Sequence, residues 1–160
     1  MEAKNNIKLI GKVHLVCRKP DGSIKWEYKG KNKITNASLP VIAGLMGAVD
    51  AQTAFTYLAV GSGSTAEGAA LTALTTEITN HGLARHVATV SRQQTTVAND
   101  TLQLYYVWTA TAGGPDTINE IGIFNDPTTG TMLGRKLTGA KTVNNGETLT
   151  CTYQVCVTGD

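Results

Sequence analysis

The chain has 160 residues, 41% of them hydrophobic, and a formal net charge of +2. That length suits one compact domain with a core and leaves little room for two, so residues 1–160 read as a single β domain. So small a charge, without a long Lys/Arg block, argues against a nucleic-acid-binding or polybasic membrane-binding chain, and the longest apolar stretch, Leu39 to Val49, is too short to span a bilayer. In chain order, Met1, Glu2, Ala3, Lys4, Asn5 and Asn6 carry neither a core pattern nor the apolar centre of a signal peptide, and read as a flexible arm. Alternation begins at residue 7: Val13, Leu15 and Cys17 share one face, Lys12 and His14 the other. KPDGS then supplies turn chemistry, and IKWEYKG resumes the extended pattern, so residues 7–29 predict a β-hairpin. Lys25 to Lys33 is the densest basic stretch, but Trp26, Glu27, Tyr28 and Gly30 interrupt it, and it reads as a solvated hairpin edge rather than a phosphate site.

Asn36 and Ser38 are good cap residues and Pro40 suits a first turn, so a short helix is expected near residues 38–48. Phe55 to Val60 is a short strand that runs into YLAVGSGSTAEG. Leu71, Leu74 and Ile78 recur at helical spacing and predict a second short helix near residues 67–78. The remainder is β in character: LARHVATVSRQQTTV, TLQLYYVWTAT, TINEIGIFN, TMLGRKLTG and ETLTCTYQVCVTG, separated by short turn-forming segments. The fold class is therefore mainly β, a β-sandwich or jelly-roll-like single domain with one or two short helices and an N-terminal hairpin.

Gly61, Gly63 and Ala66 match the G-x-G-x-x-G/A spacing of a dinucleotide fingerprint. The context is wrong for it: no carboxylate lies about 20 residues beyond to hold a ribose, and hairpin-linked strands follow in place of crossover helices. Gly61 and Gly63 are therefore read as a structural loop, with no nucleotide or other cofactor. Glu77, His81 and His86 lie close in sequence, yet only Glu77 and His81 share a helical i, i+4 spacing, so no metal site is assigned. Cys17, Cys151 and Cys156 form no C-x-x-C pair and read as free thiols of a reducing compartment. An odd separation on one strand turns Cys151 inward and Cys156 outward. With no Ser/His/Asp arrangement either, the chain is not read as an enzyme.

The succession AVGSGSTAEGAALTALTTEI, two intervening strands, TINEIGIFNDPTTGTMLGRKL and a closing Thr-rich strand resembles small virion proteins of tailed bacteriophages, over roughly Leu39 to Val157. The resemblance implies a virion accessory protein made in the host cytoplasm; the small charge and the lack of a basic block give no nucleic acid or membrane as partner. Capsid decoration is the leading role: the chain would bind the major capsid protein on the capsid exterior and stabilise the assembled shell, as a homo-oligomer for which a trimer matches local threefold positions. The arm Met1 to Asn6 would make the capsid contact. A tail-fibre or baseplate component in host attachment is the alternative, and Tyr105, Tyr106 and Trp108 would then form a saccharide platform instead of a central strand.

Pairing TINEIGIFN with TMLGRKLTG across DPTTG brings Glu120 near Lys136, with Arg135 next to it. A solvated pair, the default reading, would be worth about 0–1 kcal/mol; a desolvated pair would cost several kcal/mol to break.

Overall fold

The computed structural model describes residues 6–159. The alternation of the first segment is realised in β1 (Ile7–Arg18), where Val13, Leu15 and Cys17 are buried while Lys12 and Arg18 are exposed. β2 (Ile24–Lys31) returns antiparallel to it. The turn between them is closed by the Asp21 carboxylate, which accepts the Ser23 N–H at 2.8 Å and its hydroxyl at 2.6 Å. Gly22 adopts φ +85°, a left-handed conformation that glycine takes without strain.

Beyond the hairpin come β3 (Lys33–Ile34) and α1 (Ser38–Gly47). The helix starts differently from the sequence expectation. Its N-cap is Ala37, without a side-chain cap, while the buried Ser38 hydroxyl donates back to the Thr35 carbonyl at 2.8 Å. The remaining strands are β4 (Tyr57–Gly61), β5 (His86–Val87), β6 (Thr89–Gln93), β7 (Thr101–Thr109), β8 (Asp116–Phe124), β9 (Met132–Val143) and β10 (Thr148–Gly159).

Two five-stranded antiparallel sheets result, ordered β2-β1-β10-β7-β6 and β3-β9-β8-β4-β5. Leu15, Leu104, Trp108 and Tyr153 of the first sheet and Leu58, Ile118, Ile121 and Ile123 of the second are fully or almost fully buried in one shared core. Each such aliphatic or aromatic side chain contributes about 1.5–3 kcal/mol on leaving water. Polar ties also cross the sandwich: the Trp26 indole donates to the Thr142 carbonyl at 2.8 Å, and the Tyr28 hydroxyl to that of Leu137 at 3.0 Å.

Residues 83–97, expected as one strand, divide between the sheets. β5 pairs with β4 in the second sheet, and β6 pairs with β7 in the first. The passage occurs at Ala88, whose N–H is drawn to the Thr56 carbonyl at 2.8 Å.

Residues 67–78 do not form the expected second helix. Leu74 and Ile78 are both buried but serve different clusters: Ile78 enters the sandwich core, whereas Leu74 packs with Ala59, Phe124 and Met132 on the opposite face of the second sheet. Backbone pairing explains why. Ser62 N–H donates to the Thr76 carbonyl at 2.8 Å and Ile78 N–H to that of Val60 at 2.9 Å, so the segment runs extended beside the end of β4. Those bonds replace the i to i−4 bonds of a helix that is marginal at this length.

Candidate functional site

The loop from Gly61 to Thr76 crosses the outer face of the second sheet, and one carboxylate holds it there. Glu120 lies on β8, fully buried, beside Arg135 of β9, which is 1% exposed; Arg135 Nε donates to Glu120 Oε2 at 2.6 Å. The backbone N–H groups of Thr76, Gly63 and Thr75 donate to the same carboxylate at 2.8, 3.1 and 3.1 Å. Arg135 Nη1 continues to the Thr65 carbonyl at 2.8 Å. Burial alone would raise the Glu120 carboxyl pKa, but the Thr76 and Thr75 N–H groups and the Arg135 guanidinium outweigh it and hold the group below its ordinary value. A carboxylate whose lone pairs are saturated in this way is a clasp, and has no capacity left to act as a base.

Gly61 and Gly63 are required by that clasp. A Cβ on Gly61 would lie 2.5 Å from the Thr76 carbonyl oxygen and 2.6 Å from Glu120 Oε1; one on Gly63 would lie 2.5 Å from the same carboxylate oxygen. The paired glycines of the dinucleotide-like spacing thus make room for a protein carboxylate. Lys136 takes a separate partner: its ammonium meets Glu67 Oε1 at 2.6 Å, and the same oxygen accepts the Leu137 N–H at 2.9 Å. Glu67 and Lys136 therefore tie a second point of the loop to β9.

Another clasp went unseen in the sequence. Arg85 meets Glu77 through two bonds of 2.6 and 3.0 Å, donates to the Asp126 and Thr129 carbonyls at 3.0 and 2.7 Å, and lies 3.6 Å over the Phe124 ring. It fastens the β8–β9 turn to the loop before β5. No spacing rule pairs Glu77 with Arg85, because an irregular segment brings them together.

The remaining candidates are scattered. His81 meets Asp116 at 3.0 Å, His86 stacks on Tyr106 at 4.2 Å between ring centroids, and Glu77 is committed to Arg85. Cys17 and Cys151 are buried as expected, but so is Cys156, which faces outward yet is only 4% exposed. Its cross-strand partner Thr101 is also buried and bonds Thr95 at 2.7 Å, placing the loop before β7 over this corner of the face. Burial, together with the Glu147 carboxylate beside it, raises the Cys17 thiol pKa to about 12. Of the arm, residues 1–5 lie outside the described residues, and Asn6 is exposed. β7 has one face in the core, with Trp108 donating to the Ala84 carbonyl at 2.8 Å, while Tyr105 is 41% exposed on the other.

Two surface features stand apart from these structural contacts. An apolar groove opens between α1 and the paired ends of β1 and β10, lined by Ile7, Leu9, Leu39, Ile42, Met46 and Val157 among others. A second groove, on the outer face of the first sheet, is lined by Lys12, His14, Lys29, Lys31, Thr152 and Gln154.

Comparison with known proteins adds the family. The family model described as "Podophage GP4 fiber I protein gp80" matches residues 33–156, from β3 into β10, which is most of the chain. The chain belongs to this family. No curated protein and no solved structure matches it. It is accordingly a structural protein of the tailed-phage virion, as the glycine loop and the INEIGIFN hairpin implied. Both segments lie inside the matched span, whereas the β1–β2 hairpin precedes it.

Proposed function

We propose that the chain is a non-enzymatic building block of a virion fibre, and that copies of it associate through the apolar surface around α1. The family's description as a fibre protein supports a fibre over the capsid-decorating role that the sequence resemblance placed first. The observation that carries the proposal is the exposure of this surface. Met46 is 78% exposed, Ile7 71%, Leu39 52% and Val157 49%, on a helix and two strand ends that are otherwise well formed. Apolar side chains gathered in one patch mark an interaction site, where singly scattered ones would not. A fibre consists of repeated copies, so a second copy of the same chain is the occupant that fits; a trimer about a common axis would close the patch on itself. The ionisable groups inside the protein are consistent with a structural role, since Glu120, Glu77 and Glu147 are each spent on holding segments together.

The test is the solution mass of the protein by light scattering, with and without Met46→Glu and Leu39→Glu. The wild type is expected to be an oligomer and the double variant a folded monomer, melting cooperatively but below the assembled wild type, because both positions are exposed in the single chain and only the stabilisation by association is lost. A monomeric wild type at micromolar concentration would overturn the assembly surface.

A further inference from the structure

The outer face of the first sheet carries an arrangement that folding alone does not favour. In the register of the hairpin Lys12 lies opposite Lys31, and His14 opposite Lys29. Like charges directly across an antiparallel pair repel, and a hairpin gains nothing from them. One acid answers this group: Glu27 bonds His14 at 2.6 Å and Lys29 at 2.9 Å. Lys12 and Lys31 have no acidic partner among the described residues, although both line the same groove of about 510 Å³.

The face continues across the sheet without further charge. Lys12 is followed by Gln154 and then Gln103, whose amides bond at 2.8 Å; His14 is followed by Thr152 and then Tyr105. The two rows lie side by side, with neighbouring strands about 4.8 Å apart and residues of one face about 6.6 Å apart along each strand. Cations thus occupy two strands, and amides, a hydroxyl and an aromatic ring occupy the next two. A nucleic acid, charged at every residue of each strand, would be met by cations along its whole path. A sugar carrying an acidic group beside neutral, hydroxylated rings matches the layout: ammonium groups for the acid, amides and hydroxyls for the ring hydroxyls, and an aromatic surface for an apolar ring face.

We infer that the outer face of the first sheet binds an anionic saccharide, its acidic group held between Lys12 and Lys31 and its hydroxyls met by Gln154, Gln103, Thr152 and Tyr105. The site goes beyond the fibre proposal and does not depend on it: the face is on the opposite side of the sheet from the core, and the cations come from the hairpin, outside the span that matches the fibre family. The Lys25 to Lys33 run does form the solvated edge of the first sheet, and the site adds a role to it: folding divides the run, sending Lys25 to Glu147 at 2.8 Å and bringing Lys29 and Lys31 together with Lys12.

The test is isothermal titration of the full chain with sialyllactose, which carries one carboxylate beside two neutral rings, with the uncharged trisaccharide maltotriose, and with inorganic phosphate. Sialyllactose is expected to bind, more weakly as salt is raised, and the other two to bind at least tenfold more weakly. Lys12→Gln with Lys31→Gln should lose at least tenfold in affinity and melt no lower than the wild type, since the change relieves a like-charge pair. Lys19→Gln, at the exposed hairpin turn, should bind as the wild type does. Gln154→Ala should also weaken sialyllactose binding while leaving phosphate binding unchanged. Equal binding of phosphate and sialyllactose would reduce the face to a nonspecific cationic patch and overturn the saccharide assignment. Absence of sialyllactose binding, or binding that survives loss of both lysines, would overturn the site itself.

Discussion

Glu120 and Arg135, which stand on neighbouring strands and meet at 2.6 Å, are both withdrawn from solvent by the loop that their side chains hold in place. The relation is reciprocal: the loop desolvates the pair, and the pair supplies the acceptor and donors that the loop backbone requires. Breaking such a pair by removing one partner costs about 3–5 kcal/mol, because a buried charge is left unanswered. Glu120→Gln and Arg135→Met are each expected to lose stability of that order in chemical denaturation. Replacing both partners is often nearly neutral elsewhere, but here Glu120→Leu with Arg135→Met would still strand the N–H groups of Gly63, Thr75 and Thr76. The double variant should therefore remain less stable than wild type by several kcal/mol; recovery to wild-type stability would show that the loop is held by other contacts.

The glycines give a sharper comparison. Gly61→Ala places a methyl group 2.5 Å from a backbone carbonyl that cannot rotate away, and should cost about 1–3 kcal/mol as overpacking does. Gly68, in the same loop, has nothing within 4 Å of an added Cβ. Gly68→Ala should change stability by no more than about 0.5 kcal/mol, like other open surface positions. Equal effects at the two positions would contradict the close approach at Gly61.

How much of this was readable beforehand follows from the kind of contact involved. The alternation of Val13, Leu15 and Cys17 predicts the hairpin, and the DPTTG turn between two patterned runs places Glu120 near Lys136, one residue from its observed partner Arg135, because strand register is local arithmetic; Lys136 is instead held by Glu67. Burial of the pair was not readable, since the covering loop takes its shape from the carboxylate and not from its own residues. The same dependence misled the reading of Leu74 and Ile78 as one helical stripe. Glu67 and Arg85 escaped notice because irregular segments carry them to partners that no period predicts. The cationic groove needed the hairpin register together with the position of β10, and only the first of these was legible.

Acid should weaken the protein, in part through Glu120. Its carboxyl is held below its ordinary value in the folded chain, so its contribution is fully present above the unfolded value of about 4.3 and is lost as pH falls through the folded value. Urea unfolding of wild type and Glu120→Gln at a series of pH values isolates this term from the other carboxylates. The stability gap is expected to be widest near neutrality and to narrow below about pH 4. A gap independent of pH would mean that the charge on Glu120 contributes nothing.

All three thiols should be inert in the folded protein. Cys17 and Cys151 are fully buried, Cys156 is nearly so, and burial raises the pKa of Cys17 and Cys151 so that little thiolate exists at neutral pH. A thiol reagent with mass mapping should label none of them appreciably before unfolding and all of them afterwards. Rapid native labelling of Cys156 alone would mean that the corner beside Thr101 is open, as strand alternation by itself would have it.

The central claim, that this chain builds a fibre of the virion, is tested most directly by locating it on the particle. Virions carrying an epitope tag after Asp160 can be labelled with gold-conjugated antibody and imaged. The label is expected on projecting fibres, at several copies per fibre. A label spread evenly over the capsid shell would contradict the claim and restore the decorating role, and particles without any label would remove the chain from the mature virion.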